Sequence, residues 1–160
     1  MIGPAVRRAL LLLVLFGAAS GDTIAAPPAD WQEVSADGKF TVMAPAGTTF
    51  ARSPGTDSFT GVFSAPGFAV HVDYGAHVDP LQHTLHYTQY VARDVVVDGK
   101  RAKLVTARSR GSAGGYFIGM HVPQLRRSAV GPVGLTLSCN LAREQDYAVL
   151  ESLYLSVRFN

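Results

Sequence analysis

Asp79-Pro80-Leu81-Gln82-His83-Thr84-Leu85-His86-Tyr87-Thr88-Gln89-Tyr90-Val91-Ala92-Arg93 is the stretch on which the fold class turns. Asp79 offers an N-cap oxygen, and Pro80 follows at the first helical position, where a missing N–H costs nothing. At about 100° per residue, Leu81, Leu85, Thr88 and Ala92 share one stripe, with Val91 at its edge. Gln82, His83, His86, Gln89, Tyr90 and Arg93 fall on the other side. The spacing predicts a helix over 79–93 that lays one face on a sheet and turns its histidines outward.

Strand signals surround it. Residues 31–34 and 40–43 flank the turn Asp37-Gly38, and Pro45 ends the second run. A stretch rich in turn formers, 47–58, leaves room for a short strand at 49–52. Residues 58–64 and 68–74 flank Ala65-Pro66-Gly67, a hairpin signal. In the second of these, Phe68, Val70, Val72 and Tyr74 share one face, while Ala69, His71 and Asp73 share the other. Asp98-Gly99 joins 95–97 to 100–108 in another hairpin, and 111–115 is a glycine-rich loop. Strands at 116–122 and 135–141 follow, joined by a loop over 123–134. A second helix is predicted over 144–155, with Glu144 and Asp146 in its first turn, as the helix dipole prefers. Residues 156–159 read as extended. Tight turns make neighbouring strands antiparallel. The expected class is α+β: a mostly antiparallel sheet with helices packed on it, as one domain over 31–160.

The N-terminus has the layout of a secretory signal peptide over 1–25. Arg7-Arg8 is a positive head, and the apolar run from Ala9 to Ala19 is 11 residues long. A membrane span needs about 20. Small residues follow, with cleavage frames before Gly21 or before Ala26. No cysteine stands there to take a lipid. Residues 26–30 read as a Pro/Ala linker. No later segment is long and apolar enough to span a membrane, so a soluble periplasmic or secreted protein is expected.

At 48% apolar residues the chain can bury a core. The net charge is +2, and setting aside Arg7, Arg8 and Asp22 takes 14 basic and 12 acidic residues to 12 and 11. A near-neutral chain carries no electrostatic case for nucleic acid. Lys100, Arg101, Lys103, Arg108 and Arg110 form the densest positive stretch, with no phosphate-binding loop beside it. Cys139 is the single cysteine. Alternation puts it with Leu135, Leu137 and Leu141 on one strand face, as a buried, inert thiol.

Four pieces of the chain resemble the PsbP/Mog-type fold and the small exported bacterial proteins related to it. They are Gly38-Lys39-Phe40-Thr41-Val42-Met43-Ala44-Pro45, the strand 68–74, the turn Val97-Asp98-Gly99, and Leu150-Glu151-Ser152-Leu153 running into Ser156-Val157-Arg158-Phe159. The resemblance implies an αβα sandwich, an antiparallel sheet between helices. It also implies a binding or accessory role in place of catalysis. No site residue carries over with it.

Candidate chemistry is sparse. His83 and His86, three apart on the expected helix, with a third donor would hold a divalent metal, since imidazole suits zinc, copper or nickel. His71 shares a strand face with Asp73. Tyr87, Tyr90 and Trp31 are candidate contact residues for a partner. There is no Gly-x-Ser-x-Gly elbow and no Ser-x-x-Lys. Gly111-Ser112-Ala113-Gly114-Gly115 lacks the Lys-Ser/Thr ending of a P-loop. The leading expectation is an exported, non-catalytic binding or accessory protein of the bacterial envelope, its partner an unidentified protein or small ligand. The alternative is a periplasmic metal-binding protein using His83 and His86. A small hydrolase would need a pocket joining Ser, His and Asp.

Overall fold

The stretch 79–93 does not form a helix. The computed structural model describes residues 28–55, 57–82, 84–110, 115–129 and 131–160, and it gives this stretch one 3-10 turn, Thr84–His86, followed directly by a strand. Asp79 does accept the N–H of Leu81 at 2.8 Å, as a cap would. Leu81, however, has φ +57°, in the left-handed region that a bulky side chain rarely enters, and this sends the chain out of a helical path. Beyond it, Tyr87, Thr88, Tyr90, Val91 and Val95 to Val97 are aromatic or β-branched and suit a pleated surface. Leu85, placed on the helical stripe, is 82% exposed. The leader 1–25, most of the loop 111–115 and His83 lie outside the described residues.

The described elements are β1 (Trp31–Ser35), β2 (Phe40–Pro45), β3 (Thr49–Ser53), β4 (Phe59–Ala65), β5 (Phe68–Gly75), β6 (Tyr87–Val97), β7 (Lys100–Ser109), β8 (Tyr116–Ser128), β9 (Gly131–Leu141), α1 (Tyr147–Leu155) and β10 (Arg158–Phe159). The expected α+β class, with helices packed on both sides of a sheet, is therefore corrected. This is a mostly β protein with two antiparallel sheets and one short α-helix among the described residues. The larger sheet runs β3-β4-β5-β9-β8-β7-β6, and the smaller runs β1-β2-β10.

Turn chemistry explains the hairpins. Asp37 and Gly38, then Asp98 and Gly99, take the positive φ pairs that a two-residue hairpin turn demands. The loop expected over 123–134 is instead mostly strand: β8 continues to Ser128 and β9 starts at Gly131. A register shift between Val122 and Arg126 accommodates Pro123, which has no N–H to give a ladder. The second helix begins as a 3-10 turn, Glu144–Asp146, and becomes α1.

One continuous core lies on one face of the larger sheet. Val70 and Val72 of β5, Leu135, Leu137 and Cys139 of β9, and Ile118 and Met120 of β8 pack with Phe40 and Val42 of β2 and with Leu150, Leu153 and Tyr154 of α1. Three hydrogen bonds fasten α1 and its exit. Tyr147 Oη donates to Ala107 O at 2.7 Å, Tyr154 Oη donates to Ile118 O at 3.3 Å, and Met43 N–H donates to Ser156 Oγ at 2.8 Å. Arg93 on β6 pairs with Glu151 on α1.

The opposite face of that sheet is crossed by chain. β5 sits beside the central strand and β6 at the edge, so the link between them must travel over the sheet. Its described part, 76–82, lies close on β8 and β9. A Cβ at Gly134 would stand 2.8 Å from Val78 Cγ2, and one at Gly119 would stand 2.7 Å from Leu81 Cδ1. Glycine at these two positions lets the strap reach the sheet.

Candidate functional site

Beneath this strap the sheet carries polar side chains in register. Ser53 pairs with Thr60, Thr60 with Asp73, Asp73 with Thr136, Thr136 with His121, His121 with Lys103, and Lys103 with Asp94. Each of the seven strands thus contributes one polar residue to a single cross-strand row. Strand alternation explains why they share a face: their neighbours one position away point into the core.

The strap and one half of the row, Ser53, Thr60, Asp73 and Thr136, border a cavity of about 500 Å³, which His71, Asp79, Tyr87, Tyr90, Phe117, Ser138 and Asn140 also line; His121, Lys103 and Asp94 lie outside it. Ligand cavities span roughly 300–1,000 Å³. One wall is a small second core of Leu81, Val105, Ala107 and Phe117, against which Tyr87 and Tyr90 pack. The rings of Tyr87 and Phe117 lie 4.9 Å apart. Tyr90 Oη donates to Leu81 O at 2.6 Å, holding the strained residue in place. Burial first, and then the negative charge of Asp79, raise both phenols above their ordinary pKa.

Hydrogen-bond bookkeeping in the row is informative. Thr136 Oγ1 donates its one proton to Asp79 O at 2.7 Å. His121 Nδ1 lies 3.0 Å from the same oxygen, so Nδ1 must carry the proton of that contact. Burial, and next the positive charge of Lys103, lower the His121 pKa; Asp79 opposes them. Thr60 Oγ1 donates to Ser53 O at 3.1 Å. Asp73 stands between Thr60 and Thr136, and both spend their hydroxyl protons elsewhere. Its Oδ1 is buried and has no hydrogen-bond partner among the described residues. The His71–Asp73 contact that the shared strand face suggests does not reach this oxygen.

No protein-family model matches the chain, and no curated protein matches it. The chemistry of the cavity therefore rests on its own residues.

Of the two histidines expected to bind metal, His86 is not part of this lining, and His83 lies outside the described residues. His86 is exposed at the end of the 3-10 turn, away from the cavity lining, and the helix meant to align it with His83 is not formed. Among the described residues, no group of three or more His, Cys, Asp or Glu side chains could hold a metal ion. Tyr87 and Tyr90 do line the cavity, whereas Trp31 packs half-buried against the main core. Cys139 is buried, and burial raises its thiol pKa.

Ser138, His71 and Asp73 do share the cavity, and Ser138 is the direct cross-strand partner of His71. No side-chain hydrogen bond joins Ser138 to His71 among the described residues, and a nucleophile needs its base within that reach. β5 and β9 have neighbours on both sides, so their backbone N–H groups are spent on ladder bonds and cannot serve an oxyanion. The cavity residues that the sequence did not single out are Thr136, Ser138, Asn140, Thr60 and Ser53. Their signal was alternation: Thr136, Ser138 and Asn140 interleave with Leu135, Leu137, Cys139 and Leu141.

Proposed function

We propose that this chain is an exported, non-catalytic binding protein of the bacterial envelope that holds a small ligand between the strap and the larger sheet. The leader-like residues 1–25 support export. The observation that supports binding is the cavity itself, of ligand size, with hydroxyl, amide, carboxylate and aromatic groups converging on it. A strained Leu81 kept over that cavity by two hydrogen bonds is further support, because backbone strain concentrates at ligand clamps.

The test is a heteronuclear NMR titration of the chain from residue 26 onward with a broad panel of polar metabolites. Binding ligands should move the amide signals of Asp73, Thr136 and Ser138 together. A panel that moves none of them, or moves only signals on the α1 side, overturns the reading. A fluorophosphonate probe addresses the catalytic rival: Ser138 should stay unlabelled, and covalent labelling there would replace binding with hydrolysis.

A further inference from the structure

We infer that the ligand of this cavity carries a protonated amine that pairs with the Asp73 carboxylate; this rests on the binding reading above. Three observations converge. First, the acceptor is unsatisfied for a structural reason. Both in-register neighbours of Asp73 have a single hydroxyl proton, and both donate it to backbone carbonyls, Thr60 to Ser53 O at 3.1 Å and Thr136 to Asp79 O at 2.7 Å. Oδ1 itself is closed to water, so a ligand meets this carboxylate where the rest of the Asp73 side chain lines the cavity.

Second, the wall has one sign of charge. Asp73 lines the cavity with His71 as its neighbour on the strand face, and among the described residues no lysine or arginine does. A neutral donor would supply a hydrogen bond and leave the half-buried carboxylate charge uncompensated. An ammonium satisfies both, as a charge-assisted bond. An anionic ligand would meet like charge and no cation.

Third, Tyr87 and Phe117 present ring surface to the same cavity, their ring centroids 4.9 Å apart. Aromatic faces attract cations and bury an apolar body. The chemical class is a compact primary amine with an apolar or aromatic body.

Three probes with similar bodies and different heads test this: phenethylamine, 2-phenylethanol and 3-phenylpropanoate, each titrated by NMR into the chain from residue 26 onward. Phenethylamine should bind most tightly and move the Asp73 and Thr136 signals. Asp73→Asn, which keeps the shape of the side chain, should weaken phenethylamine by about tenfold or more while changing 2-phenylethanol by less than about twofold. Asp94→Asn, at the far end of the polar row, should leave phenethylamine affinity unchanged. Loss of dispersed signals in Asp73→Asn would move the test to Asp73→Ser, with the same expectation. Equal binding of the alcohol or the carboxylate, or indifference of the amine to Asp73, overturns the amine assignment and leaves the binding reading in place. Silence of all three probes also overturns the assignment, and the binding reading then falls only if the wider metabolite panel is silent as well.

Discussion

The two faces of the larger sheet are built from the same strands and do opposite work. Along β9, Leu135, Leu137, Cys139 and Leu141 point into the core, and each is almost wholly buried. Between them, Thr136, Ser138 and Asn140 line the cavity under the strap. β5 repeats the division, with Val70 and Val72 on one side and His71 and Asp73 on the other. One period-two pattern thus gives a packed face and a face that lines the cavity, offset by a single residue. The two should respond separately to mutation. Where they are coupled, the coupling should run through the strap.

The largest effect belongs to the packed face. Leu137→Ala removes a fully buried side chain from a face closed by β2 and α1, and should cost about 2–5 kcal/mol in denaturant unfolding. Its sequence neighbour Ser138→Ala should stay within about 0.5 kcal/mol, since its hydroxyl makes no bond to other described residues. Equal losses at 137 and 138 would break the division between the faces.

The seat of the strap comes next. Ala at Gly134 would bring a Cβ to 2.7 Å from Val122 O and 2.8 Å from Val78 Cγ2, and the first of these is backbone that cannot rotate away. Gly134→Ala should therefore destabilise by about 1–3 kcal/mol. It should also raise hydrogen exchange across 76–82. A stability loss with unchanged exchange in the strap would place the clash elsewhere.

The smallest effect is a pH slope. His121 has a lowered pKa in the folded chain, from burial and then from Lys103, against an ordinary value of 6.5. The unfolded chain thus takes up the proton first as pH falls. Stability should decline from pH 6.5 downward until the lower native value is passed, and be level above that window. His121→Gln should flatten this slope in a urea series from pH 7.5 to 5. An unchanged slope would assign the acid sensitivity to another group. The Nδ1 donation to Thr136 survives protonation, so the strap contact itself should persist through the window.

Much of both sheets is legible locally. Asp37-Gly38 and Asp98-Gly99 announce turns because few other dipeptides accept two positive φ values, and the structure places them in those conformations. The buried sides of β5 and β9 follow from alternation. The stretch 79–93 was misread because Leu81, Leu85, Thr88 and Ala92 match a helical stripe while the same residues include good strand formers. A long partner, β7, decides between them by offering a ladder that runs to Val97 with one irregularity between Thr88 and Val91. The run 123–134 was misread because Pro123 and its glycines look like breakers, and a bulge absorbs the proline without ending the strand. The site was harder still. Nothing local says that β5 pairs with β9, or that Asp73 stands between two threonines whose protons are already committed.

By itself the sequence determined the turns, the alternation of the central strands and the leader-like N-terminus, because these depend on dihedral preferences and apolar periodicity within a few residues. Only the tertiary structure decided that 87–97 is a strand, that a strap crosses the sheet, and that seven polar residues align beneath it. Those outcomes depend on pairing between segments distant along the chain, where register and hydrogen-bond supply are shared among strands and no single segment carries the information.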